Sequence, residues 1–401
     1  MLGIGPSTNS SFVGHFPSIS FEDLTGQKIA TIGTSLTDSG YRDPTETAST
    51  IGYTGEGWDA WARFLTRQDM DWVNKGVAGN SIAQMVARFD ADIVTENPFA
   101  VIVEAGTNDA SSSYQDIIDG LTTLYNKVLD NEYILIPLTI AIREVAGGWD
   151  DTIRDKILNV NTWIKANYPY AIEVNRDYLD DITQRPKANM VHDGTHYTNR
   201  GAFAVASPIA DFLNSINSGR DILSLGTDVN ANPLLTGTSG SKDAGITGTI
   251  PSGMHFDLET SGGLDGTVVA TATDPGLQLV FTPGNSGQVE KYSMRTNPLD
   301  TTVTLGQAYE LLSEVTASNW DGWAYVQIRL YDPGVSSYYD MYQGLDDELY
   351  GYPEGFSGIM RTMPFEVETT SVRLYIEIGI KDDAVGTGTL TINNLKLREV
   401  V

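Results

Sequence analysis

The alternation of apolar and polar positions divides the chain into two halves with different periods. From Lys28 to about Ile216, short apolar runs alternate with segments of helical spacing, as in βαβ units built on a parallel sheet. Lys28–Ile32 reads as a buried strand that breaks at Gly33 into a turn carrying Ser35. Trp58, Trp61, Phe64 and Leu65 predict a helix over 56–66, and a short strand over 71–75 follows. A helix over 81–95 presents Ile82, Met85, Val86 and Phe89 on one face, and residues 99–104 form the clearest buried strand. Next come a helix over 113–130, a strand over 133–139, a helix over 150–167, a short strand over 171–174 and a last helix over 199–216. Right-handed crossovers then place helices on both faces of one sheet, an α/β fold of the three-layer, flavodoxin-like kind.

After about residue 218 the helical period disappears. Residues 225–253 are rich in Gly, Thr, Ser and Asn, and period-two runs follow at 267–273, 277–282, 325–331, 372–380 and 389–397. Short alternating strands divided by Gly, Pro, Asp and Asn predict an all-β sandwich. The expected organisation is an arm or linker over 1–27, an α/β domain over 28–220, a linker or entry loop over 221–250 and a β-sandwich over 251–401.

Composition narrows the function classes. A net charge of −27 with a pI near 4.3 disfavours nucleic acid and anionic membrane surfaces as partners. No apolar run approaches the roughly 20 residues that span a bilayer, and residues 1–27 show neither basic leader nor apolar core, so no signal peptide is expected. The absence of cysteine excludes disulfides, thiol nucleophiles and thiolate metal sites. A general base of the usual neutral-pH kind must come from His15, His192, His196 or His255.

Four polar stretches fall at the expected carboxyl ends of strands, where open α/β sheets bind ligands. The first is the Ser35 turn. The second, Asn74 to Ser81, contains Gly79, whose backbone N–H is open to approach. The third is Gly106-Thr107-Asn108-Asp109, and the fourth is Asp193-Gly194-Thr195-His196. An acid three residues before a histidine can reach Nδ1 and leave Nε2 free to take a proton from a serine. Each stretch also has a purely structural use. Ser35 can cap a helix, Gly79 can serve a turn, Asn108-Asp109 can cap the next helix, and Asp193 with His196 can form a solvated loop. A G-x-S-x-G elbow and an H-E-x-x-H motif are both missing, and no carboxylate pair stands out for glycoside hydrolysis.

Taken in order, the four stretches resemble the blocks of the SGNH (GDSL) hydrolase family. Gly33-Thr34-Ser35-Leu36 matches the first block, with Thr34 where the family usually has Asp. Asn74-Lys75-Gly76-Val77-Ala78-Gly79 matches the second, Gly106-Thr107-Asn108-Asp109 the third, and Asp193-Gly194-Thr195-His196 the D-x-x-H block. The resemblance covers about residues 28–216. It implies a serine esterase with Ser35 as nucleophile, His196 as base and then acid, and Asp193 as its orienter. It also implies an oxyanion hole made by the Ser35 and Gly79 backbone N–H groups and the Asn108 amide, with no metal and no required cofactor.

In the second half, aromatics gather from Trp320 and Trp323 through Tyr338 and Tyr339 to Phe356. Some belong to the sandwich core; Trp320, Trp323, Tyr338 and Tyr339 are the candidates for platforms that stack on sugar rings. The run 389–397 resembles the last strand of jelly-roll carbohydrate-binding modules, and the many Asp residues permit a structural calcium there. The expected activity is removal of O-acetyl or other short acyl groups from a cell-surface or extracellular polysaccharide, with a lipid or thioester hydrolase and a non-catalytic adhesin as alternatives. The Ser-rich arm and missing leader also look like a bacteriophage tail deacetylase, which would be virion-associated and suit a trimer.

Overall fold

The computed structural model describes residues 26–400 except 40, 43–49, 54–55, 68, 217–220, 225, 259–265, 286–288, 298–300, 334–336, 342–351, 363 and 382–383. The expected arm over 1–27 therefore lies almost wholly outside the described residues, as does His15. The first half is built on four parallel strands in the order Asp71–Gly76, Lys28–Gly33, Ala100–Val103, Ile134–Pro137. The strand expected over 171–174 is reduced to a single parallel bridge between Leu138 and Ile172.

Among the described residues six α-helices accompany the sheet: α1 (Ser35–Asp38), α2 (Trp58–Leu65), α3 (Ile82–Asp92), α4 (Tyr114–Asp130), α5 (Asp151–Asn167) and α6 (Asn199–Ser215). Their starts are written locally. Ser81 and Gln84 form a reciprocal capping box on α3, while Ser113, Asp150 and Thr198 cap α4, α5 and α6 through side-chain oxygens. α3 packs on α4 and α4 on α5, whereas α2 packs on α6. With right-handed crossovers in this strand order, the two groups take opposite faces. The core between them is mainly apolar, with Ile29, Ile32, Val101, Val103, Leu121 and Val205 fully buried.

The second half consists of two mainly antiparallel sheets. One runs through Phe356–Arg361, Ala308–Ala317, Gly388–Ile392, Leu277–Thr282, Thr267–Ala272 and Ile246–Gly248. The other runs through Thr50–Tyr53, Ser337–Met341, Trp323–Asp332, Ser371–Ile380, Glu290–Thr296 and Met254–Leu258. Phe281 of the first sheet meets Tyr292 and Trp323 of the second at 5.2 and 5.9 Å between ring centroids, so the apolar faces oppose each other. The run expected as one strand over 389–397 is two, Gly388–Ile392 and Lys396–Glu399. They part at Asn393-Asn394, where Asn394 Oδ1 accepts the Glu314 N–H.

Two features depart from the expected organisation. Ser241–Lys242 and Ile246–Gly248 lie in the expected linker over 221–250, yet each joins one of the two sheets. Thr50–Tyr53 lies between α1 and α2 but pairs in parallel with Ser337–Met341. The α/β half therefore contributes a strand to the β half. The seam between them is closed by Trp61 and Phe64 of α2 against Tyr352 and Phe356, with Phe203 of α6 alongside. Arg398 holds Asp69 and Glu310, and Arg67 pairs with Asp221 and Glu314.

Candidate active site

Gly33 ends the first strand where a side chain has no room: a Cβ there would lie 2.1 Å from Thr37 Oγ1. The chain then turns into α1, and Thr34 supplies the cap, its Oγ1 accepting the Leu36 N–H. Capping by Thr34 leaves the Ser35 hydroxyl available. Beneath the turn, buried Glu104 accepts the Thr34 N–H at 2.8 Å, the Thr34 hydroxyl at 2.7 Å and the Thr37 hydroxyl at 3.2 Å. The acid in this corner thus comes from the end of the neighbouring strand, although residue 34 is a threonine. Burial pushes the Glu104 carboxyl up, against the Thr34 and Thr37 hydrogen bonds and the Arg143 charge, which pull it down.

The loop before α6 brings its groups to the same rim. His196 Nε2 lies 3.0 Å from Ser35 Oγ, and its Nδ1 lies 2.7 Å from Asp193 Oδ2. Asp193 Oδ1 also accepts the Thr195 and His196 N–H groups, at 2.9 and 2.7 Å. Partial burial works to raise the Asp193 carboxyl. The hydrogen bonds from the His196 backbone and ring and from Thr195 outweigh it and hold the acid well below the usual carboxylate range. Gly194 adopts φ +81°, and its carbonyl accepts the Glu144 N–H at 2.9 Å, which docks this loop on the segment after Ile134–Pro137. His192 stacks beside His196 with ring centroids 5.9 Å apart.

The other two stretches meet each other. Asn108 Nδ2 donates to Asn80 O at 3.0 Å, directly after Gly79, which is exposed and takes φ +76°. Arg88 of α3 donates to Asn80 Oδ1 at 2.7 Å, to Lys75 O at 2.8 Å and to Gly33 O at 3.0 Å, tying this loop to the Ser35 turn. Asp109 accepts the Ile82 N–H at 3.0 Å, so it helps start α3 rather than the helix that follows it in sequence. Burial raises its carboxyl.

Sequence reasoning did not single out Glu104 or Arg143. The available signal was one acid closing the apolar strand over 99–104, and one base closing the apolar run 138–142. The aromatic platform fares differently. Trp320 and Trp323 are only 7% and 1% exposed, packed against each other at 5.0 Å, with indole N–H groups donating to Val385 O and Ser318 O. They are core residues and offer no face to a sugar. The side chains of Tyr338 and Tyr339 lie outside the described residues.

A strand-end serine in hydrogen-bond reach of a histidine that an aspartate orients is the arrangement of nucleophilic hydrolases. Residues 31–202 match the GDSL-like Lipase/Acylhydrolase family, which supports an ester-hydrolase domain of the GDSL/SGNH type in the α/β half. Among individual proteins, the chain is similar to an acetylxylan esterase of Geobacillus stearothermophilus, 32% identical over 94 residues. That stretch is 22% of this chain, and the chain spans only 42% of the length of this curated relative. Among solved structures, an acetylxylan esterase from the same organism is 19% identical, covering 49% of this chain and 96% of its own, with a TM-score of 0.39. A GDSL-like lipase from Bacteroides thetaiotaomicron is 16% identical, covering 47% and 88%, with a TM-score of 0.37.

Proposed function

We propose that this protein is a serine esterase that removes O-acetyl groups from an acetylated polysaccharide. The observation that carries the reading is the unbroken path from Asp193 through His196 to Ser35, 2.7 Å and then 3.0 Å. Ser35 Oγ attacks the ester carbonyl carbon while His196 Nε2 takes the hydroxyl proton. Asp193 fixes the ring with Nδ1–H toward itself and stabilises the imidazolium. The carbonyl oxygen becomes an oxyanion received by the Ser35 and Gly79 N–H groups and the Asn108 amide. Collapse expels the sugar hydroxyl, which takes its proton from His196. Water then repeats the sequence on the acetyl-enzyme, releasing acetate and restoring Ser35.

The substrate class is supported by the similarity to an acetylxylan esterase. The net charge of −27 suits a protein working among neutral glycans rather than at phosphate-rich surfaces. The strand-rich half is taken as a jelly-roll-like module that holds the polymer while the α/β half hydrolyses it.

The test is acetate release from a panel of acetylated polysaccharides, alongside p-nitrophenyl acetate and p-nitrophenyl palmitate, with Ser35→Ala as control. Acetate release lost by at least about 10³-fold in Ser35→Ala is the expected result. Preference for the palmitate ester would assign a lipid hydrolase instead. A Ser35→Ala variant as active as the parent would remove the serine mechanism.

A further inference from the structure

Arg143 follows the apolar run 138–142 and reaches back under the third stretch. Its Nε donates to Thr107 Oγ1 at 2.9 Å, and its Nη2 donates to Asn108 Oδ1 at 2.7 Å. The Asn108 amide is thereby left one orientation. Its oxygen faces the guanidinium, and its Nδ2 faces Asn80 O at 3.0 Å. A flipped amide would set NH2 against a cation and an oxygen against a carbonyl oxygen, two repulsive contacts in place of two hydrogen bonds. Asn80 O takes one of the two Nδ2 protons, and the second is left for another acceptor.

The guanidinium is itself held. It lies over the Trp149 ring at 5.6 Å, and Arg185 donates to both Arg143 O and Trp149 O, at 3.0 and 2.9 Å. The next residue, Glu144, donates its N–H to Gly194 O in the loop that carries Asp193 and His196. A cation held by its own neighbours therefore pins the amide through Oδ1. We infer that Arg143 is a positioning residue of the oxyanion site: it fixes the Asn108 amide and, by polarising it through Oδ1, strengthens the remaining Nδ2–H as donor to the tetrahedral intermediate. The inference rests on the esterase reading.

The charges that Arg143 faces include Glu104 and Asp193, so a direct effect on the Asp193–His196 pair is the competing explanation. The two are separated by kcat, KM and the pH profile of p-nitrophenyl acetate hydrolysis. The variants are Arg143→Met, Arg143→Lys, Asn108→Ala and the Arg143→Met/Asn108→Ala double, with Ser35→Ala as blank. Arg143→Met lowers kcat about 10- to 100-fold, a fraction of what losing an oxyanion donor costs, and leaves KM nearly unchanged. Arg143→Lys recovers only part, because an ammonium keeps the charge but not the fork. In the Asn108→Ala background Arg143→Met has no further effect, since it acts through that amide. The acid limb of kcat/KM stays in place.

Full kcat in Arg143→Met, losses that multiply in the double variant, or a displaced acid limb each overturn the inference. Should Arg143→Met fail to fold by circular dichroism, Thr107→Val removes only the Nε anchor. Its kcat loss must likewise vanish in the Asn108→Ala background, and a multiplying loss overturns the inference. A parent without Ser35-dependent hydrolysis brings down the esterase reading and this inference together. An active parent with an indifferent Arg143→Met brings down this inference alone.

Discussion

Asp59 offers a test of how the Ser35 turn is supported. It lies on α2, wholly buried, and Oδ2 accepts from Asn74 Nδ2 at 2.7 Å. The same Nδ2 donates to Thr37 O of α1 at 2.8 Å, while Asn74 Oδ1 accepts the Gly76 N–H at 2.8 Å. Asp59 Oδ1 has no hydrogen-bond partner among the described residues. Burial pushes this carboxyl from its ordinary 3.8 up to about 6, against the Asn74 hydrogen bond and the nearby Arg63 charge. The folded protein therefore binds the proton more tightly than the unfolded chain does. Between pH 3.8 and about 6 the folded state holds more protons, so stability falls as pH rises through that window and levels off above it. At about 1.4 kcal/mol per pH unit, the full cost at neutral pH is about 3 kcal/mol.

Asp59→Asn keeps an acceptor for Asn74 and removes the ionisation. Urea unfolding from pH 4 to 7.5 should give two curves that nearly coincide at pH 4. They should diverge by up to about 3 kcal/mol, the variant being the more stable above pH 6. Every other titrating group is common to both proteins, so the difference belongs to Asp59. Curves that stay parallel across the range would refute the reasoning, because the buried carboxylate would then ionise without cost.

Glu104→Ala removes the acceptor of one backbone N–H and two hydroxyls beneath Ser35. The expected loss is about 2–4 kcal/mol in urea unfolding, with kcat falling more than KM rises; an unchanged kcat would show that the turn holds its shape without that carboxylate. Gly358→Ala tests the seam, since its Cβ would sit 2.4 Å from Phe64 O. It should cost about 1–3 kcal/mol in urea unfolding, and an unchanged midpoint would mean the halves separate there without penalty.

The α/β half was legible where local chemistry writes the element. Ser81 with Gln84, Ser113, Asp150 and Thr198 each mark a helix start through their own side chains, and the observed starts fall within a residue of the expected ones. Three of the four expected site stretches follow neighbouring strands of one parallel sheet, whose carboxyl ends lie on one edge, so Ser35, Gly79 and Asn108 were expected on a common rim. The fourth follows no strand of that sheet; His196 reaches Ser35 through a loop docked by the Glu144 N–H on Gly194 O. The pairing of Thr50–Tyr53 with Ser337–Met341 was not legible, because it joins segments almost 290 residues apart, and nothing in a four-residue run of Thr, Ile, Gly and Tyr names a partner.

The amino-acid order alone determined the period of each half, the helix caps and the residue types able to carry acyl transfer, because these depend on neighbours a few positions away. Only the tertiary structure decided that Trp320 and Trp323 are core, that Glu104 supplies the acid under the Thr34 turn, and that Arg143 donates to Asn108 Oδ1. An indole can stack on a sugar or fill a sandwich, and a lone Glu or Arg at a strand end can face water or a partner. Burial and hydrogen-bond partners settle such choices, and both depend on which distant segments the fold brings into contact.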